Sequence, residues 1–179
     1  MPFGPGLIDG GEALDSLVYV MDRARYSVEV QGAQAKIARL GEPQDIDSLS
    51  NIERVVFADG VLALDVGVGE TAGSAYRLYQ AAFDREPDLD GLGFWVQRMD
   101  GGMGLDEVAS RFVGSPEFGR LYGVAPGNGA LIQGYYENVL DRTPEATGYS
   151  YWLGRMDQGL DAALCFPKAP KTSLTSGAG

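Results

Sequence analysis

A shift of 57 positions lays part of this chain over itself. Tyr79 falls on Tyr136, Asp84-Arg85 on Asp141-Arg142 and Pro87 on Pro144. Gly91 falls on Gly148, Trp95 on Trp152, Arg98-Met99-Asp100 on Arg155-Met156-Asp157, and Gly102 on Gly159. That is 10 identities in the 24 positions from Tyr79 to Gly102, in the pattern Y-x4-D-R-x-P-x3-G-x3-W-x2-R-M-D-x-G. A duplicated stretch of this length constrains the fold, because repeated helical units bury an apolar seam that one copy cannot close alone.

The period inside the repeat is helical. Leu78, Tyr79, Ala82 and Phe83 share one helical face, and Leu92, Trp95, Val96 and Met99 share another. Leu105, Val108, Ala109 and Phe112 make a third stripe. Ser115-Pro116-Glu117 then reads as a helix start, with Ser as N-cap and Pro in the first turn, where its missing N–H costs nothing. Gly123 closes that helix, and Leu131, Tyr135, Tyr136, Val139 and Leu140 begin the pattern again.

Before about residue 66 the pattern is that of strands. Tyr26, Val28 and Val30 alternate with Ser27 and Glu29, and Leu17 to Met21 and Arg54 to Phe57 are rich in β-branched and aromatic residues. Asp59-Gly60 between two apolar runs predicts a hairpin whose central residues take positive φ. The fold class expected is therefore segregated α+β: a small N-terminal antiparallel β unit (1–68), a first helical module (69–123), a linker (124–130), a second and truncated module (131–166) and a tail (167–179).

Charge and composition narrow the chemistry. With 14 Lys+Arg against 25 Asp+Glu the net charge is −11. Such a surface repels phosphate backbones and anionic lipids, so neither nucleic acid nor membrane insertion is expected. There is no histidine and a single cysteine, Cys165. That excludes Ser-His or Cys-His catalysis, a Cys/His zinc site and a disulfide framework. Glycine supplies 26 of 179 residues, about twice the ordinary share of ~7%. The first residues have neither the basic nor the apolar region of a signal peptide.

The repeated pattern resembles the bacterial domain of unknown function 4214, a helical module that often occurs in tandem. Tyr79, Arg85, Pro87-Asp88, Gly91, Trp95 and Ser115-Pro116-Glu117-Phe118 carry the resemblance once, and Tyr136, Arg142, Pro144, Gly148 and Trp152 carry it again. Glu145 stands where that family usually has Asp. Upstream, Gly10-Gly11-Glu12-Ala13-Leu14-Asp15-Ser16-Leu17-Val18 resembles one degenerate haemolysin-type calcium nonapeptide, with Ala13 in place of its third glycine. Leu49 to Gly60 resembles a segment that follows such repeats in secreted bacterial proteins. Together these imply the C-terminal end of a larger exported protein, secreted or at the cell surface by a type I-like route without an N-terminal signal peptide.

The candidate sites each have a plain structural reading. Asp15 is a calcium candidate, but a calcium β-roll takes ligands from neighbouring repeats and one repeat is visible; it reads as a turn residue. Glu86-x-Asp88-x-Asp90-Gly91 has the spacing of an EF-hand loop, but Gln97 stands at its twelfth position, so Asp88 reads as a helix N-cap with Asp90 in the first turn. Trp95 and Trp152 could stack sugars, yet they lie on apolar stripes and read as core. One member of Tyr135-Tyr136 and of Tyr149-Tyr151 is expected to face away from the core. Arg85 and Arg142 read as residues that hold the turn after a helix, with Glu117 a partner for Arg85.

The function expected is a non-catalytic accessory or interaction module, without a cofactor, whose partner is an unidentified protein or glycan. Two alternatives are kept: a glycan-binding or glycan-hydrolysing domain using Asp/Glu and exposed aromatics, and a calcium-dependent folding unit. Finally, Pro167 to Gly179 is basic and Pro-rich, unlike what precedes it. A one-base deletion near the codon for Phe166 would explain this, since a shifted frame can restore Ser-Pro-Glu at that point. Residues 167–179 are accordingly expected to be disordered.

Overall fold

The computed structural model describes residues 6–42, 44–140, 142–160 and 162. The expectations for residues 167–179 lie outside them. Along the described residues strands come first: β1 (Leu7–Asp9), β2 (Ser16–Val18), β3 (Tyr26–Gln31), β4 (Gln34–Arg39), β5 (Ile46–Ser50), β6 (Arg54–Phe57) and β7 (Gly60–Ala63). Helices follow: α1 (Thr71–Phe83), α2 (Leu89–Asp100), α3 (Leu105–Val113), α4 (Pro116–Tyr122), α5 (Asn128–Leu140) and α6 (Ala146–Asp157). This is the segregated α+β class. The chain divides into two compact units, Met1–Ser74 and Ala75–Gly179, the division falling inside α1.

The first unit holds two sheets, of order β1-β5-β4-β3 and β2-β6-β7. The β3–β4, β4–β5 and β6–β7 pairings are antiparallel. Two pairings differ from the antiparallel expectation: β1 runs parallel to β5 and β2 parallel to β6. Strand–turn–strand β1–β2 thus lies alongside strand–turn–strand β5–β6. The core holds Ile37, Leu49 and Val55, with Tyr19, Tyr26 and Phe57 in mutual ring contact.

The hairpin at Asp59-Gly60 is present, but its turn lies one residue earlier. Phe57 pairs with Gly60, so the loop is Ala58-Asp59, and neither Asp59 nor Gly60 has positive φ. Asp59 instead accepts the Arg23 amide at 2.7 Å. The tight glycine turn is elsewhere, at Gly32-Ala33 between β3 and β4, where Gly32 has φ of 61°. Glycine at the first central position suits the twist of that hairpin.

An ion pair anchors the start of α1 within this unit. The buried Arg54 guanidinium pairs with Asp65. Asp65 also accepts the Ala72 amide through its carboxylate at 3.2 Å and the Gly73 amide through its carbonyl at 3.1 Å. Asp65 therefore serves two first-turn amides, one through its carboxylate and one through its carbonyl, as well as the cation.

In the second unit the apolar stripes meet as their period dictates. Phe112 on α3 is the common contact, with ring centres 5.3 Å from Tyr79, 4.8 Å from Phe83 and 5.1 Å from Trp95. The Ser115 hydroxyl accepts from the Phe118 amide at 3.1 Å, so α4 has its predicted cap. One expectation fails: Tyr135 and Tyr136 are both buried, at 3% and 8% exposure. Neighbouring residues on a helix diverge by about 100°. Tyr135 meets Tyr122 of α4, while Tyr136 lies against Arg142, so α5 is covered on more than one face. In the other pair Tyr149 is half-buried and Tyr151 is 60% exposed.

Candidate functional site

The motif residues of the first repeat converge. Tyr79 lies in α1, and Arg85 follows the helix end after Asp84, whose φ of 49° turns the chain. From there the Arg85 guanidinium reaches back to the Tyr79 hydroxyl at 3.0 Å and to Glu117 of α4 at 2.7 and 3.2 Å. It also donates to the Glu86 carbonyl at 3.0 Å. The bond to Glu117 is the main reason its proton is held more tightly than usual.

Pro87 leads into Asp88, the N-cap of α2, whose carboxylate accepts the Gly91 amide at 2.7 Å. That bond, with Arg85 adding to it, lowers the Asp88 pKa. Asp90 sits in the first turn of α2. The stretch is therefore the start of a helix and not an EF-hand loop. A Cβ on Gly91 would come within 3.3 Å of the Tyr79 hydroxyl, so the glycine admits the phenol to the helix start. One turn-locking cluster thus accounts for the spacing of Tyr79, Arg85, Asp88 and Gly91.

The second repeat keeps the contact of arginine with tyrosine and changes the start of its second helix. The Arg142 guanidinium lies 4.9 Å from the Tyr136 ring centre, against 5.0 Å for Arg85 and Tyr79. Glu145, with its longer side chain, makes no side-chain cap at α6; its carboxylate pairs with Arg142. Its own backbone amide, and then Arg142, lower its pKa. A Cβ on Gly148 would lie 2.5 Å from the Tyr136 hydroxyl, a closer approach than in the first repeat. Pro144 is half-buried, as is Pro87.

Trp95 and Trp152 are half-buried rather than fully buried, and both pack against the helical core. Each carries an exposed aromatic neighbour set edge-on to it: Phe94 at 5.0 Å and 86°, Tyr151 at 5.2 Å and 78°. The exposed partners are separated by the same 57 residues as the repeat. Phe94 lies off the apolar stripe of α2 and so escapes a search by period, although the shift that aligns the tryptophans aligns Phe94 with Tyr151 too.

In the β unit, Asp15 closes the turn that begins at Gly10. Its carbonyl accepts from Glu53 and Arg54 amides at 3.2 and 3.1 Å, and its amide donates to the Glu53 carboxylate at 2.8 Å. Asp9 accepts from the Asn51 side chain at 2.8 Å and the Gly11 amide at 3.2 Å. A Cβ on Gly10 would lie 2.0 Å from the Asn51 carbonyl, so one turn rests directly on the next. One Asp15 carboxylate oxygen is buried without a hydrogen-bond partner. Calcium needs about six to eight oxygens, and among the described residues no group of three or more His, Cys, Asp or Glu side chains converges as a metal site. The residues present do not by themselves fit that ion. Further along this unit, burial and then the bond to Asp47 at 2.7 Å push the Tyr19 hydroxyl above the usual phenol range.

Residues 109–169 match the family model described as a domain of unknown function (DUF4214). The matched span begins in α3 and runs through α4, α5 and α6. No curated protein and no solved structure matches the chain. No helix among the described residues is long and apolar enough to cross a membrane.

Proposed function

We propose that the chain is a non-catalytic interaction module, with two tandem helical units, at the C-terminal end of an exported bacterial protein of the calcium-repeat type. The observation that carries the reading is the use to which the motif is put. Tyr79, Arg85, Asp88, Gly91 and Glu117 bind one another, and in the second repeat Arg142 lies against the Tyr136 ring and pairs with Glu145. Residues occupied in locking a turn support a scaffold more than a reaction centre. The stacked turns of the β unit support the upstream half of the reading. Fractionation of the native host tests it: the protein is expected outside the cell or on its surface, and retention in the cytosol alone would overturn it.

A second reading, glycan binding, is favoured by the exposed Phe94 and Tyr151 beside their tryptophans. Aromatic faces of this kind give ligands a platform when they are not needed in a core. A glycan array would support it only if signal is lost on Phe94→Ala together with Tyr151→Ala.

A further inference from the structure

The β unit has one end at which both of its sheets stop together. β1 is the outer strand of one sheet and β2 the outer strand of the other, and the two are joined by a single turn. Their pairing partners, β5 and β6, are joined in the same way. Among the described residues no strand pairs with these two stacked coils on the side of residues 7–18.

Hydrogen-bond alternation identifies what faces that side. Gly10 donates to Ser50, Ser48 donates to Gly6, Arg54 donates to Asp15 and Tyr19 donates to Val56. In a parallel pair, alternate residues turn both backbone groups towards one neighbour. The remaining residues, Leu7, Asp9, Ser16 and Val18, turn theirs outward. The side chains point to the same gap. Ile8 stands opposite Leu49, and Leu17 opposite Val55. Leu49 and Val55 are buried at 2% and 0% exposure, whereas Ile8 and Leu17, one rung further out, are only half-buried. Leu7, Val18 and Val20 are 82%, 65% and 86% exposed. Residues 6–20 include no Lys, Arg or Pro, the residues that commonly protect an exposed edge.

We propose that this edge receives a further strand–turn–strand coil, both strands parallel to β1 and β2, from a preceding segment of a longer polypeptide. The added coil would pair with the outward backbone groups of Leu7, Asp9, Ser16 and Val18 and cover Ile8 and Leu17. It continues the β1–β5 and β2–β6 stacking by one step. A second copy of this chain cannot do this. A twofold axis would set β1 antiparallel to β1, since such an interface uses the same patch on both copies. Head-to-tail stacking would offer β3 and β7, and β7 runs antiparallel to β6 and so to β2. The proposal rests on the reading of the chain as the end of a larger protein.

The test joins an extra copy of residues 6–19 ahead of Met1 of the full chain through a flexible Gly/Ser linker. Amide exchange is then followed at Leu7, Asp9, Ser16 and Val18. In the chain alone these amides are expected to exchange as open-edge amides do. With the added coil they should slow by about tenfold or more, and Tm should rise. A scrambled coil should do neither. Val18→Pro gives the second arm, because it removes an outward N–H without touching the β2–β6 bonds. It should leave the Tm of the chain alone nearly unchanged and abolish protection by the added coil. Unchanged exchange at all four amides in the grafted chain overturns the proposal. So does protection that survives Val18→Pro. The localisation of the native protein is measured separately, so failure here and failure of the functional reading are distinguishable.

Discussion

The Arg85 guanidinium lies 5.0 Å from the centre of the Tyr79 ring and donates to its hydroxyl at 3.0 Å. The same guanidinium holds Glu117 of α4. Arg85→Ala removes both contacts at a side chain 41% exposed, so a loss of about 1 kcal/mol is expected after allowance for solvent screening. Arg85→Lys should recover little of it, because an ammonium cannot span two partners as the planar fork does. A double-mutant cycle of Arg85→Ala with Glu117→Gln in chemical denaturation measures the share due to the ion pair. Coupling near zero would mean the contact with Tyr79 carries the effect.

Phe112 and Trp95 separate the centre of the helical core from its rim. Phe112 is 2% exposed and touches three rings. Phe112→Ala should cost about 3–5 kcal/mol, the usual loss for an emptied aromatic site. Trp95, half-buried, should cost less on replacement by Ala, about 2–3 kcal/mol. Thermal unfolding of both variants ranks them, and a Trp95 loss larger than that at Phe112 would contradict the burial order.

The two motif glycines should respond differently to alanine. At Gly91 the added methyl would be 3.1 Å from the nearest atom, an Asp88 carboxylate oxygen. At Gly148 it would be 2.5 Å from the Tyr136 hydroxyl and 2.7 Å from Glu145. Alanine gains up to about 1 kcal/mol over glycine in a helix. That gain should roughly offset the strain at Gly91 and fall short of it at Gly148. Gly148→Ala should therefore lower Tm clearly, and Gly91→Ala should change it little.

Acid should loosen the starts of α2 and α6. The folded pKa values of Asp88 and Glu145 lie below their ordinary 3.8 and 4.5. A depressed folded pKa contributes stability that is complete above the ordinary value and is lost as pH falls through the folded one. Amide exchange at Gly91 should accordingly quicken in this acid window relative to the core. Asp88→Asn keeps a capping oxygen and removes the titration, so its Gly91 protection should lose that pH dependence.

Asp65→Ala should be the most damaging polar substitution in the β unit. It removes the carboxylate that faces the buried Arg54, leaving that side chain its bond to the Glu53 carbonyl, and it frees the Ala72 amide. About 3 kcal/mol is expected, since breaking a buried ion pair by removing one partner is strongly destabilising. A loss comparable to that of an exposed carboxylate, measured by denaturant titration, would show that Arg54 finds a replacement.

Much of the helical half was legible in the sequence, because a helix that buries one face must repeat its apolar residues at that period. The stripe through Val108, Ala109 and Phe112, the cap at Ser115 and the pair Arg85–Glu117 could all be read from spacing. The β half was less legible. In β4, Gln34–Arg39, the buried positions are Ala35 and Ile37, and alanine gives little strand signal. In β5, Ile46–Ser50, only Leu49 is buried, between serines. Parallel pairing left no local trace at all, since β1 and β5 meet across some forty positions of chain. The burial of both Tyr135 and Tyr136 was hidden for a related reason: one helix face gives a period, but a helix covered on several sides does not.

Helix α4 faces two ways. Glu117 holds Arg85 behind it, while Tyr122 accepts from Asn138 of α5 at 3.1 Å and lies against Gly134 ahead of it. A helix held in common leaves no clean seam at which one hairpin ends and the next begins. Removing α4 would therefore undo the Arg85 turn before it and the contact with α5 after it in a single step.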